Sequence, residues 1–316
     1  MELIDTHAHL TDGKFDSDLD SVLQRAAAAG VTRVIVCGYD VESSEKAVRL
    51  SGEHGGIFAS VGTHPHDASS YDLTVESRYE ELAATAYAML RGRLPRSRTF
   101  VPSLRQRVSG ACAHEVSTPT MLRGRLSRSV RQQVFGACAH EVSTPTVVAI
   151  GEIGLDYHYD FSPRPAQRAA FEAQLALAQR LQMPVIIHSR EAMEDTLSIL
   201  RPFAGLLVGG VFHCFSGDAK EAAEVLDLGM HIGVDGPITF KSNTRLAEVV
   251  RMCPGERLLV ETDCPYMAPH PYRGKRNEPA YLTRIVEEIA KIRGISLVEV
   301  AESTTAAACA LFRLPR

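Results

Sequence analysis

Residues 3–9 read LIDTHAH, an apolar opening that turns polar at its far end. Side chains of a strand alternate between two faces, so His7 and His9 share one face, with Asp5 beneath them on the same side. A lone His-x-His is weak, since two unrelated polar residues would explain it equally well. What decides the reading is that the same shape of text returns along the chain. The candidate strands are Leu3–His9, Arg33–Gly38, Gly56–Val61, Val147–Ile153, Pro184–His188, Gly210–His213, His231–Asp235 and Leu258–Asp263. Longer helix-like patterns lie between them, which points to parallel strands joined by crossover helices. Eight such strands close a (β/α)8 TIM barrel, an α/β fold.

The helix boundaries carry their own signals. Ser17 precedes Leu19, Val22 and Leu23, and Gly30 stands where a glycine would end that helix. Ser162 before Pro163 predicts an N-cap with proline at the first helical position, and Phe171, Leu175 and Ala178 mark one face of the helix that follows. Ser296 and Glu299 suit a capping box that opens the last helix.

One stretch interrupts the alternation. Residues 89–120 and 121–146 are two copies of one text, both beginning MLRGRL and both ending GACAHEVSTPT. Together they hold ten arginines, no lysine and two acids, Glu115 and Glu141, a formal charge of +8. The remainder of the chain carries 24 basic and 36 acidic residues. Without the stretch, Ala88 would run almost directly into Val147, the short helix-to-strand loop a barrel uses. Residues 89–146 therefore read as a basic, Arg-rich insertion between helix 3 and strand 4 of a single barrel domain over 1–316. Poverty in large apolar residues predicts poor order there. Cys112, His114, Cys138 and His140 offer the makings of a zinc site, but duplication copies cysteine and histidine together whatever they do.

The whole chain has 316 residues, 45% of them hydrophobic, enough to bury a full core. Its formal net charge of -4 does not exclude polyanions, because a bound metal supplies positive charge. Seven cysteines without a C-x-x-C pair fit a reducing compartment better than a disulfide framework. No signal peptide is legible, and the longest apolar run, Gly205 to Phe212, is far too short to span a membrane. The expectation is a cytoplasmic protein with no membrane partner.

The chemistry gathers at the strand ends. Glu152 lies at the end of the fourth candidate strand, His188 ends the fifth, His213 the sixth and Asp263 the eighth. In a closed barrel those ends converge on one mouth, together with His7 and His9. Six nitrogen and carboxylate donors exceed what one catalytic zinc uses. The expectation is two divalent metal ions per chain: His7, His9 and Asp263 holding one, His188 and His213 the other, with the Glu152 carboxylate bridging. Such a pair stabilises attacking and leaving oxygens in phosphoryl transfer. Mixed ligation accepts Zn, Mn or Fe, and Mg more weakly. Asp263 is also placed to take a proton from the attacking water.

The motifs IDTHAHL (4–10), VGTHPHD (61–67), GEIGLDYH (151–158), VIIHSRE (185–191), FHCFSG (212–217), ETDCPYMAP (261–269) and RGKRNEPAYL (273–282) resemble the TatD family of metal-dependent nucleases, among the amidohydrolase-like barrels. The resemblance covers 1–88 and 147–316 in unbroken order. It implies a deoxyribonuclease that trims single-stranded DNA from the 3′ end, with His7, His9, Glu152, His188, His213 and Asp263 as metal ligands. The insertion departs from the family pattern without touching these motifs. Urease-like and dihydroorotase-like relatives bridge their metals with a carboxylated lysine, whereas here Glu152 supplies the carboxylate.

Other residues invite a role and a plainer explanation together. The resemblance makes His64 a substrate or phosphate contact, although a loop His-Pro-His is equally well explained as solvated. Arg190, Arg273, Lys275 and Arg276 suit phosphate contacts without base reading, or are simply basic loops. Asn277 and Glu278 open the eighth helix, where capping explains them as well as catalysis does. Tyr157 and His158 are candidates to line the substrate groove. Cys214 and Cys264 each follow a candidate ligand and should point off the ligand face, as packing residues. His54, His231 and His270 are read as structural. Two further function classes share these motifs: a metal-dependent acyl or ester hydrolase acting on aminoacyl-tRNA or another amidohydrolase-type substrate, and an inactive nucleic-acid-binding protein built around the arginines.

Overall fold

The computed structural model describes residues 1–90 and 146–315, the backbone alone for 85–90. Eight strands run parallel and neighbour one another in chain order: β1 (Leu3–Ala8), β2 (Val31–Cys37), β3 (Ile57–Val61), β4 (Val147–Asp156), β5 (Val185–Arg190), β6 (Gly210–Phe212), β7 (His231–Val234) and β8 (Leu258–Val260). Between them lie α1 (Leu19–Ala28), α2 (Val41–Glu53), α3 (Leu73–Leu90), α4 (Arg164–Leu181), α5 (Met193–Leu200), α6 (Ala219–Asp227) and α7 (Thr244–Met252). Two helices, α8 (Leu282–Arg293) and α9 (Leu297–Phe312), follow β8. This is the (β/α)8 barrel that the alternation of text predicts.

The seam between β8 and β1 is held by a buried acid. Asp5 is fully buried and accepts the Thr262 backbone N–H (2.9 Å) and hydroxyl (2.6 Å). Just beyond, Asp263 N–H donates to the His7 carbonyl (2.9 Å) and His9 N–H to the Cys264 carbonyl (2.7 Å). These bonds draw the two chain ends into register and set His7 and His9 beside Asp263.

Alternation along β5 to β8 separates two apolar layers. Val185 and Ile187, Ile232 and Val234, and Leu258 and Val260 join the large cluster packed under the helices, with Phe171, Leu175 and Ala178 of α4. The opposite parity looks inward: Ile35, Val148, Ile186, Val211 and Leu259 pack with Ala308, Leu311 and Phe312 of α9. That helix plugs the N-terminal end of the barrel. Above the plug, the same parity carries His188, His213 and Glu261 toward the other end, while Glu152 follows a register shift in β4 and Asp263 a left-handed residue conformation after β8.

Two helix starts differ from the sequence expectation. Asp18, not Ser17, precedes α1, and it makes no side-chain cap; Gly30 does take the left-handed conformation after the helix. Ser162 does not cap α4, which begins at Arg164 after Pro163. Its hydroxyl instead donates to the His66 carbonyl (2.7 Å) and accepts from Ser69 N–H (3.1 Å), tying the loop after β3 to the loop after β4. The Ser296–Glu299 capping box is formed. The gap between α3 and β4 agrees with an insertion at that point; the order expected of its duplicated text and its Cys/His set lie outside the described residues.

Asp5→Ala removes the acceptor from two buried donors of Thr262 at once. It should lower the unfolding free energy by about 2–4 kcal/mol, read from urea denaturation. A loss indistinguishable from zero would mean the seam does not depend on this acid.

Candidate metal centre

His7 and His9 rise from β1 with their Nε2 atoms 3.1 Å apart. His9 Nδ1 lies 3.3 Å from the Cys37 carbonyl oxygen. A carbonyl only accepts, so the ring proton sits on Nδ1 and the Nε2 lone pair faces inward. Asp263 Oδ1 stands 3.3 Å from His9 Nε2 and 3.7 Å from His7 Nε2. Across the mouth, His188 donates from Nε2 to Asp156 Oδ2 (3.2 Å), and its Nδ1 faces His213 Nε2 at 3.1 Å.

Glu152 stands between the two sets. Its Oε2 is 3.3 Å from His7 Nε2 and 3.5 Å from His9 Nε2. Its Oε1 is 2.8 Å from His213 Nε2 and 3.0 Å from His188 Nδ1. Where a ring lone pair meets another lone pair or a carboxylate oxygen this closely, a proton or a cation must lie between them. Ligand atoms of His7–His9–Asp263, of His7–Glu152–His213 and of His64–Glu152–His188 each fall within 4.8 Å of one another. The donor set, imidazole and carboxylate in a buried mouth, fits divalent cations.

His64 is buried with this group rather than solvated on its loop. It accepts the His66 backbone N–H at Nδ1 (3.2 Å), which leaves the ring proton on Nε2, 3.4 Å from Glu152 Oε1. A donor, not a lone pair, is what His64 presents to the site.

The electrostatics divide the site. Burial, reinforced by His213, pushes His7 down to about 4, and burial pushes His64 down to about 4. Burial disfavours the Glu152 anion, but the surrounding imidazoles, His213 and His64 foremost, hold it well below the ordinary range. Asp263 is likewise burdened by burial and held low by His9. His188 goes the other way, up to about 9, because its bonds to Asp156 and Glu152 outweigh its burial.

Three buried acids of this mouth were not singled out from the sequence, although strand parity marks them. Asp156, four residues beyond Glu152 on β4, holds His188 and also accepts from His66 Nε2 at 3.0 Å. Such an outer carboxylate fixes which ring nitrogen of a histidine faces a metal. Glu261, two residues before Asp263, accepts the Cys214 backbone N–H and lies 3.8 Å from His213 Nδ1. Asp235, just past β7, is buried, and burial next to Asp263 pushes it up to about 8. Cys214 corrects an expectation. Its φ of 44° breaks the strand alternation, so its sulfur gathers with Asp235 and Asp263 instead of pointing away. Cys264 is fully buried in the core, as expected of a packing residue.

The basic residues fare differently. The Arg190 guanidinium lies over the Tyr159 ring, 4.8 Å from its centroid, and Arg273 over Phe240 at 4.2 Å. Lys275, two residues after Arg273, is exposed. Arg276 is committed elsewhere, forked onto both oxygens of Asp18 at 2.7 Å. Asn277 donates to the carbonyls of Thr262 and Tyr266, and Glu278 pairs with Arg25, so both tie the loop after β8 in place. Tyr157 and His158 are bonded to Asp195 and Glu191. Buried His231 bonds to the Gly210 carbonyl oxygen (3.2 Å).

An eight-stranded parallel barrel with imidazoles and carboxylates converging at its C-terminal mouth has the architecture of metal-dependent hydrolases. The chain belongs to the TatD related DNase family, whose model matches residues 4–313. It is 37% identical over 312 residues to an uncharacterized metal-dependent hydrolase, YabD, of Bacillus subtilis strain 168, covering 99% of each chain. It is 33% identical over 297 residues to the 3′-5′ ssDNA/RNA exonuclease TatD of Klebsiella pneumoniae strain 342, covering 92% of this chain and 90% of the relative. The crystal structure of YJJV, a TatD homolog from Escherichia coli K12, superposes with a TM-score of 0.75 at 27% identity, over 99% of this chain and 98% of that one.

Asp156→Ala frees the His188 ring to turn. Divalent-metal affinity, read by competition with a chromogenic chelator, should fall about 10–100-fold. Unchanged affinity would show that Asp156 does not orient His188 toward a metal.

Proposed function

We propose that this chain is a two-metal phosphodiesterase that trims single-stranded DNA from its 3′ end. The observation that carries the reading is the division of Glu152, one oxygen toward His7 and His9, the other toward His188 and His213. His7, His9 and Asp263 would hold one ion and His188 and His213 the second, with a Glu152 oxygen available to each. Bound divalent cations supply Lewis-acid polarisation of the phosphodiester and a nucleophilic water at neutral pH.

The protein's own groups do the rest. Asp263, kept ionised by His9, accepts the proton of the attacking water. His64 donates from Nε2 to a phosphate oxygen. Arg190, Arg273 and Lys275 attract the backbone phosphates, with no base reading required. Arg276, already paired with Asp18, shapes the loop after β8 on which Arg273 and Lys275 ride. The polarity and the single-stranded substrate rest on relatives named for that activity. The five described cysteines are unpaired, in keeping with action in the cytoplasm. Among the described residues no single helix is long and apolar enough to cross a membrane.

Metal-loaded protein should shorten 3′-labelled and 5′-labelled single strands with the pattern of 3′ trimming, act poorly on duplexes, and leave aminoacyl-tRNA intact. Release of the amino acid without strand shortening would establish the ester-hydrolase reading instead. Glu152→Ala and Asp263→Asn should each lower kcat by about 100-fold or more in excess metal, with an unchanged circular dichroism spectrum. Near-normal turnover in either variant would remove that residue from the chemistry.

A further inference from the structure

Next to the proposed pair of ions, the strand ends of β6, β7 and β8 assemble a different donor set. Cys214 Sγ, a carboxylate oxygen of Asp235 and one of Asp263 all lie within 4.8 Å of one another. Asp235 is 1% exposed, and among the described residues no hydrogen bond of ordinary geometry reaches either of its oxygens. A buried carboxylate without a donor is costly, and a second carboxylate beside it adds repulsion. Among the described residues no lysine, arginine or histidine pairs with Asp235, and the Asp263 carboxylate stands beside it. Something positive, a proton or a cation, must reside there. The thiol decides between them by chemistry, because a sulfur facing two carboxylates is a ligand set of its own.

We propose that Cys214, Asp235 and Asp263 form a third divalent-cation site, selective for thiophilic ions such as zinc, cobalt or cadmium over magnesium and manganese. The site rests on the two-ion reading to the extent that Asp263 is shared. Its selectivity follows from the ligands: thiolate sulfur favours zinc and its soft neighbours, while hard magnesium keeps to oxygen and water. Binding displaces the thiol proton of Cys214 to solvent and forms a metal–sulfur bond. An ion there competes with His9 and the first cation for Asp263. Excess thiophilic metal therefore alters the activity where excess magnesium does not.

The test is equilibrium loading of the full chain with cobalt(II), followed by metal analysis and a near-ultraviolet spectrum. The proposal expects three cobalt ions per chain and a sulfur-to-cobalt charge-transfer band. Cys214→Ser should abolish the band, and Asp235→Asn should leave two ions per chain. Both substitutions nearly preserve side-chain volume, and neither residue is assigned to catalysis. Magnesium loading should stop at two. Two cobalt ions and no charge-transfer band in the unsubstituted protein would overturn the third site, leaving the two-ion centre standing and Asp235 protonated. Fewer than two ions in every form would instead refute the reading on which this site rests.

Discussion

Asp5 and Thr262 make the contact on which the site depends. A parallel sheet becomes a barrel only if its last strand pairs with its first, and here β8 contributes three regular residues while β1 carries register shifts. Side-chain bonding from a fully buried acid replaces part of the missing ladder. Once Thr262 is fixed against Asp5, its neighbour Asp263 lies against His7 and His9 from the opposite end of the chain. Contacts between residues some 255 positions apart thus follow from one seam.

The rest of the molecule bears the cost of that mouth. Asp5 and Asp235 are pushed up to about 7 and about 8 by burial, and Glu261 well above its ordinary range for the same reason. Cys214 and Asp263 are held at positive φ, a conformation non-glycine residues rarely take. Stability comes from elsewhere: the apolar layer between strands and helices, and the plug that α9 drives into the barrel's far end. A rigid apolar frame lets polar groups at one end be arranged for binding rather than for their own comfort.

Much of this was legible in the sequence. Strand number and order followed from repeated apolar runs that end in polar residues, and period-two alternation grouped His7 with His9. The same rule marks Glu152 with Asp156, and Glu261 with Asp263, yet a carboxylate that holds a ligand reads in the sequence no differently from a ligand. Cys214 was misplaced because alternation assumes extended backbone, and a left-handed residue after His213 breaks it. The tautomer of His64 depends on a bond from His66, and the commitment of Arg276 depends on Asp18, 258 residues away. No local pattern carries either fact. Ser162 gave a strong helix-start signal, yet its hydroxyl found better partners in the loop after β3.

In the function proposed above, Glu152 would join two cations held by two separate sets of residues. Anomalous X-ray scattering from crystals soaked in manganese tests it most directly. Two peaks about 3.5–4 Å apart are predicted, one against His7, His9 and Asp263, the other against His188 and His213, each within about 2.0–2.3 Å of a Glu152 oxygen. A single peak, or two peaks of which one does not touch Glu152, would contradict the account.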